Sequence, residues 1–159
     1  MRKIFVILSA VLLVAFALQF VFAAVGAFTR PAVDGAYVLH SVNGTAVIPA
    51  LTLLTILFAV LAKAPGRLVG LAVLPLGLVL VQALLAMFAN AATDSVGGST
   101  PIGLTIAALH AVNGIIAVHV VVSVFQAARD LARSTPASAT PTAGVPRSVG
   151  PAVRAEGSA

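Results

Sequence analysis

Residues 4–28 read IFVILSAVLLVAFALQFVFAAVGAF, twenty-five consecutive positions without a charged side chain. At about 1.5 Å per residue, a helix of this length measures about 37 Å, more than the roughly 30 Å hydrocarbon core of a bilayer. The segment is therefore predicted to be a transmembrane helix. Arg2-Lys3 before it and small residues near Ala23 are also typical of a secretory signal peptide, although the apolar region of such a peptide is normally only about 7–15 residues long.

Three further apolar segments follow, at about 36–62, 68–90 and 102–128, so the sequence predicts an all-α, polytopic membrane protein with four transmembrane helices. Of all residues, 60% are hydrophobic and 8% are charged, and the mean hydropathy is +1.14. In soluble domains about a quarter of the residues are charged. The predicted partner is the lipid bilayer. A nucleic-acid partner is excluded despite the net charge of +5, because the basic residues lie between and after the apolar segments.

The connections and the end of the chain carry turn and linker residues. Lys63-Ala64-Pro65-Gly66-Arg67 predicts a tight turn between antiparallel second and third helices. Pro49 predicts a kink within the second helix, and Pro101 predicts the start of the fourth. From Ser134 onward Ser, Thr, Pro, Ala and Gly dominate. Residues 134–159 are therefore predicted to be a disordered tail that follows a transmembrane domain of residues 1–133.

The basic residues predict the orientation in the membrane. In a four-helix arrangement only Arg30 falls on one side, whereas six basic residues and the basic tail fall on the other: Arg2, Lys3, Lys63, Arg67, Arg129 and Arg133. Because cytoplasmic loops carry an excess of Lys and Arg, both termini are predicted to be cytoplasmic.

A short motif, L-H-x-V-N-G, occurs twice, at residues 39–44 and 109–114, each time within a predicted membrane helix. Gln19 and Gln82 precede the two copies in the first and third helices. The chain is therefore predicted to consist of two similar helical hairpins, which close a four-helix bundle about an approximate twofold axis along the membrane normal. The two glutamines are interpreted as hydrogen-bonding groups between helices.

His40 and His110 lie at membrane depth, where a polar side chain normally faces a partner, a cavity or a cofactor. At about 100° per residue, Gly44 and Gly114 lie about 40° from the histidines on the same helix faces. A porphyrin needs such a cleared surface beside an axial ligand. The pattern therefore predicts a b-type haem between the second and fourth helices, with His40 and His110 as metal ligands. The predicted function is electron transfer or haem handling, and the predicted protein partner is a redox partner or membrane complex.

Three further residues are predicted to support this cofactor. Asn43 and Asn113, three residues after the histidines, could donate hydrogen bonds to the imidazoles or to the cofactor. Arg30 could pair with a haem propionate, because a guanidinium binds a carboxylate through a fork of donors.

The same residues also fit plain helix packing, because small residues allow close approach and polar residues bond across helix interfaces. The alternative function is therefore a non-redox scaffold, accessory subunit or small-molecule carrier.

His119 lies about 180° from His110 on the fourth helix and is interpreted as a neutral histidine bonded to a carbonyl, an adjacent helix or a second subunit. No catalytic residue is predicted, because the sequence contains no paired intramembrane carboxylates, no Ser–His arrangement, no HExxH motif and no cysteine. Whether the protein is an enzyme stays open.

With glutamine in its odd helices and histidine in its even ones, the chain resembles a group of uncharacterised small bacterial four-helix membrane proteins. This resemblance implies the bacterial cytoplasmic membrane and the fold. The placement of His40 and His110 more distantly resembles one half of the haem A synthase fold and membrane b-type cytochromes, which implies haem ligation by these two residues. Tyr37 and Ser41 stand where the synthase pattern has an acidic residue and an arginine, and the loop cysteines are absent.

Overall fold

The computed structural model describes residues 1–31 and 33–134, and it consists of four long helices. These are α1 (Arg2–Phe28), α2 (Val38–Leu61), α3 (Gly66–Ala91) and α4 (Pro101–Arg133). No strand occurs among these residues. The predicted all-α class with four membrane-length helices is thereby confirmed. Apart from Ser134, the predicted tail lies outside the described residues.

The helices form a closed ring in which each one packs against its neighbours along the chain and α1 packs against α4. In consequence α2 and α4 lie diagonally opposite each other. The start of α1 meets the end of α4, where the Arg2 guanidinium donates hydrogen bonds to the carbonyls of Leu131 (3.1 Å) and Ser134 (2.7 Å). We call this end of the bundle the terminal end. The α1–α2 and α3–α4 connections lie at the opposite end, which we call the loop end.

The bundle is packed tightly toward the terminal end. Two clusters of buried side chains occupy this half and contain Phe5, Leu12, Ala15, Phe16, Ile48, Ala59, Ala62, Leu68, Ala72, Ala117, Val121, Val124 and Ala128. Ser9 and Thr52 are also buried, and each hydroxyl donates to a carbonyl four residues earlier in its own helix, at 2.7 and 2.8 Å. Buried hydroxyls that are paired in this way add no desolvation penalty to the apolar core.

The outer surface of the bundle carries exposed apolar side chains along every helix. Leu, Ile, Val and Phe side chains that are 40–60% exposed include Val14, Leu53, Leu74 and Ile116. A soluble monomer rarely exposes such continuous apolar surface, whereas a bilayer covers it. All four helices are long and apolar enough to cross a membrane. The chain is a multi-pass membrane protein.

The start of one helix and the interior of another follow from proline chemistry. A π-helical turn, Asn43–Val47, stands in α2 immediately before the bend expected at Pro49. Proline lacks an N–H and its ring crowds the carbonyl four residues earlier, so widening the preceding turn accommodates it. Pro101 is the first residue of α4, as expected, and the Thr100 hydroxyl caps this helix by accepting a hydrogen bond from the Gly103 N–H at 3.1 Å. At its other end α4 continues to Arg133, five residues beyond the bound expected from the sequence.

Candidate functional site

A cavity of about 790 Å³ lies between the helices in the half of the bundle nearer the loop end. Its wall is built mainly of small side chains, which leave space between the four helices. The alanines and glycines that line it are Ala23, Gly44, Ala83, Ala86, Ala89, Ala92, Gly103, Ala107, Ala111, Gly114 and Ala117. Both motif histidines also line it, as do Gln19, Gln82 and Asn113. The structure therefore brings both copies of the motif to one cavity, which is partly open to the surroundings.

The two imidazole rings face each other across this cavity from diagonal helices. Their centroids are 6.2 Å apart and their planes are inclined by 48°. The Nδ1 atom of His40 lies 3.1 Å from the carbonyl oxygen of Gln19, and the Nδ1 atom of His110 lies 3.1 Å from the carbonyl oxygen of Gln82. Because a carbonyl oxygen only accepts, each neutral ring carries its proton on Nδ1. The lone pair of each Nε2 is left for another partner.

Gln19 ties His40 and Asn43 to α1. Its amide nitrogen donates to the carbonyl of His40 at 3.0 Å and lies 3.3 Å from Nε2 of the same residue. Its amide oxygen accepts from the Asn43 amide at 2.7 Å, and that amide also donates to the Ala15 carbonyl at 2.9 Å. Asn43 is buried. One glutamine thus satisfies the polar groups of the first motif.

Gln82 makes nearly the same contacts on the other side of the bundle. Its amide nitrogen donates to the His110 carbonyl at 2.8 Å, and its oxygen accepts from Asn113 at 2.5 Å. Asn113 also donates to the Leu78 carbonyl at 3.0 Å. The two halves differ at the histidine ring, because Gln82 does not bond Nε2 of His110. Among the described residues this Nε2 has no hydrogen-bond partner.

The motif glycines make room for the glutamines. A Cβ atom added at Gly44 would lie 2.7 Å from the Gln19 amide nitrogen, and one added at Gly114 would lie 3.3 Å from that of Gln82. The sequence suggested that these glycines clear a surface for a macrocycle. In the structure the glutamine amides already lie against them, although both glycines still line the cavity.

The asparagines and Arg30, which are predicted to support a cofactor, have the following partners within the protein. Asn43 and Asn113 bond the glutamines and backbone carbonyls instead of the imidazoles, because their amides point along the α1–α2 and α3–α4 interfaces. The exposed Arg30 donates to the carbonyls of Ala27 (3.1 Å) and Thr29 (3.3 Å) at the end of α1, and it does not line the cavity. The described lining contains no Lys, Arg, Asp or Glu.

Sequence reasoning missed one aromatic neighbour of the site. The ring of Tyr37 lies edge-on to His40, with centroids 6.3 Å apart, and it also packs on Gly26 of α1. Its position three residues before the histidine, on the same helix face, was the available signal. His119, by contrast, is exposed on the outer face of α4, and its Nδ1 donates to the Ile115 carbonyl at 2.9 Å.

No cluster of three or more His, Cys, Asp or Glu side chains able to hold a metal ion occurs in the part of the chain that the structure describes. A bare metal ion such as zinc usually takes three or four protein ligands.

Comparison with known proteins gives one similarity. Residues 19–91 match the model of the family of unknown function DUF6220. The matched segment contains Gln19, the first motif and Gln82, but it ends before His110. No curated protein and no solved structure matches the chain. The chain is thus similar to an uncharacterised family, and its four apolar helices fit a small membrane protein.

Proposed function

We propose that this protein binds a b-type haem between α2 and α4, with Nε2 of His40 and Nε2 of His110 as the axial ligands. The observation that carries the proposal is the pairing of two neutral imidazoles across one cavity, each held through Nδ1 by a carbonyl of the preceding helix.

The separation of the rings fits one shared metal. A metal–imidazole bond is about 2 Å long, and the ring centroid lies about 1 Å beyond the nitrogen, so two rings on opposite sides of one metal have centroids about 6 Å apart. The observed separation is 6.2 Å. Two histidines that served only to bond neighbouring helices would not need this distance from each other.

The hydrogen bonds also fit ligation. Ligating histidines almost always donate their second ring N–H to a carbonyl or carboxylate, which fixes the tautomer and raises the basicity of the ligating nitrogen. The Gln19 and Gln82 carbonyls accept such bonds here. Nε2 of His110 is free of protein partners among the described residues, whereas Nε2 of His40 would exchange its 3.3 Å contact with the Gln19 amide for the metal.

The cavity fits the flat part of a haem better than its charged part. A volume of about 790 Å³ lies within the range of ordinary cofactor sites, about 300–1,000 Å³. Around the histidines, small alanine and glycine side chains alternate with the amides of Gln19 and Gln82. Toward the loop end the lining becomes polar without charge, at Asn90, Thr93 and Ser99. At this end of the cavity, these uncharged polar groups are available to the carboxylates of a haem, whereas Arg30 is not.

A bis-histidine haem supplies one-electron transfer. The chain would contribute the two histidine ligands and the carbonyls that orient them, and in the described lining the only other ionisable side chain is that of Tyr37. His40 and His110 would hold the haem from two helices, and a group held by two protein ligands would supply electron transfer to a redox partner or membrane complex rather than catalysis. The proposed location is the bacterial cytoplasmic membrane with both termini in the cytoplasm, supported by the basic residues at the terminal end.

The likeness of the two hairpins is part of the same proposal. Gln19 and Gln82 bond the carbonyls of His40 and His110 in the same way, which supports two equivalent halves related by an approximate twofold axis. The resemblance of this histidine placement to half of the haem A synthase fold agrees with the proposal but adds no residue to it.

One contact favours a second function, that of a carrier for a neutral small molecule. The Gln19 amide lies on Nε2 of His40, so the polar groups of the first motif are satisfied without a metal. A ligand of this kind would accept or donate hydrogen bonds within an uncharged, mostly apolar cavity.

The test is the absorbance spectrum of the full chain, purified in detergent after expression with ample haem, in the oxidised and the reduced state. The proposal expects a sharp low-spin b-type band at near-stoichiometric haem. His40→Ala and His110→Ala should each abolish it, while His119→Ala, a matched histidine on the outer face, should keep it. Helix content measured by circular dichroism should stay the same in all three variants. A protein that stays colourless after addition of haemin, or a spectrum that survives in all three variants, refutes the ligand assignment; the colourless result favours the carrier.

A further inference from the structure

The outer face of α4 carries a row of exposed polar side chains. The row comprises His119, Ser123, Gln126, Asp130 and Arg133, all of them exposed. Their spacing alternates between four and three residues, and at about 100° per residue all five lie within about 40° of the direction of His119. We call this row the α4 seam.

The α4 seam begins deep in the membrane. His119 lies ten residues before Arg129, or about 15 Å along the helix, which is half the thickness of a hydrocarbon core. Its Nδ1 and the Ser123 hydroxyl bond only carbonyls of α4 itself. Intramembrane ionisable groups normally face a bundle interior or a cavity and pair with a partner. Within the described residues, this one faces outward.

The spacing of the seam indicates another helix as its cover. A repeat of 3.5 residues keeps one row in contact with a neighbouring helix as the two supercoil to the left, whereas a straight helix repeats every 3.6 residues. Left-handed crossings of about 20° are the common arrangement of membrane helices, and polar residues act across them as hydrogen-bonding groups.

We infer that a second copy of this chain covers the α4 seam, in a parallel dimer with a twofold axis along the membrane normal. Copies inserted in the same orientation present each seam residue at the same depth, so His119 and Ser123 of one protomer meet those of its partner. At the terminal end, Asp130 and Arg133 form a self-complementary charge pair. Their contact within one chain is long, 3.9 Å, and their side chains are 77% and 68% exposed. In the dimer each Arg133 lies about 4.5 Å in depth from the partner's Asp130, so its long side chain reaches that carboxylate across the interface.

Disulfide scanning tests this interface, because the chain contains no cysteine of its own. The full chain is purified, reconstituted alone into phosphatidylcholine vesicles, and oxidised as a series of single-cysteine variants across residues 115–126. Two thiols are joined only where their Cβ atoms approach to about 4 Å. Ser123→Cys is the central variant. Leu57→Cys on α2 is its matched control, since it is exposed and also lies six residues from the nearest basic residue at the terminal end.

The dimer predicts maxima of cross-linking yield at positions 116, 119, 123 and 126. The yield at Ser123→Cys should be at least severalfold above that at Leu57→Cys. This difference between the two yields should persist when the lipid-to-protein ratio is raised. His119→Leu in the Ser123→Cys background should lower the yield. Equal yields at both positions indicate random collision and overturn the inference. A monomer without cross-links also overturns it and leaves a different membrane protein as the occupant of the seam. Circular dichroism of each variant distinguishes loss of the interface from loss of the fold, and neither outcome depends on haem.

Discussion

Replacing Gly44 by alanine should disrupt the hydrogen bonds around the first motif. The new Cβ atom would lie 2.7 Å from the Gln19 amide nitrogen, which is too close, so the end of this flexible side chain must move. It then loses its bonds to the His40 carbonyl, to Nε2 of His40 and to Asn43. The backbone has no need to shift, and the cost arises from these three interactions.

The magnitude follows from typical values for membrane proteins. A side-chain hydrogen bond between membrane helices contributes about 0.6 kcal/mol on average, so the loss of three costs about 2 kcal/mol. Alanine also favours a helix over glycine by about 1 kcal/mol. Gly44→Ala should therefore lower the free energy of unfolding by about 1 kcal/mol net. Gly77 has no atom within 4 Å of an added Cβ, so Gly77→Ala measures the helix-propensity gain alone.

The assay is reversible unfolding of the purified variants in mixed micelles with increasing sodium dodecyl sulfate, followed by circular dichroism. Gly44→Ala should be less stable than Gly77→Ala by about 2 kcal/mol. Gly114→Ala should lie closer to Gly77→Ala, because its Cβ would meet the Gln82 amide at 3.3 Å and Phe20 at 3.5 Å, distances that a small shift relieves. If Gly44→Ala is as stable as Gly77→Ala, the Gln19 bonds contribute nothing and the account of the glycines is wrong.

Two further substitutions test the loop end of the bundle. Gly26→Ala places a Cβ atom 2.5 Å from the Tyr37 ring, so the ring must move. This displacement should lower the free energy of unfolding by about 1–3 kcal/mol. It should also alter the tyrosine fluorescence, which reports Tyr37 alone because the chain has one tyrosine and no tryptophan. Adding Tyr37→Ala should remove the steric conflict, and a Gly26→Ala variant with unchanged fluorescence and stability would contradict this packing. Thr100→Ala removes the cap that bonds the Gly103 N–H and should cost about 1 kcal/mol, whereas Thr100→Ser should retain most of it. Thermal denaturation distinguishes the two variants; equal losses would argue against capping.

The membrane architecture could be predicted from local properties of the sequence. Runs such as residues 4–28 are apolar over more than the thickness of a bilayer, and within a bilayer the backbone has few alternatives to a helix. Pro101 marked the start of α4 because proline fits the first helical position, where an N–H has no partner. These features depend on residues next to each other in the chain.

The pairing of side chains across the bundle depended on tertiary structure. The sequence showed that His40 and His110 share a motif, and helix geometry placed the glycines on the same faces. It did not show that the Gln19 and Gln82 amides reach those glycines, or that the asparagines bond glutamines instead of imidazoles. Such contacts depend on how far one helix is rotated and shifted against its neighbour. Arg30 illustrates the same point, because its guanidinium bonds the end of its own helix although the sequence allowed it to reach a cofactor.

The sequence by itself determined that four helices cross a membrane, because length and hydropathy decide the transfer of each segment into lipid separately. Only the tertiary structure decided that two histidines seventy residues apart have ring centroids 6.2 Å from each other across a common cavity. That distance is set by the diagonal placement of α2 and α4, by small residues that leave a cavity in the loop-end half and by the buried apolar clusters that pack the four helices together in the other half. Packing between helices is a property of all four together, and no single segment encodes it.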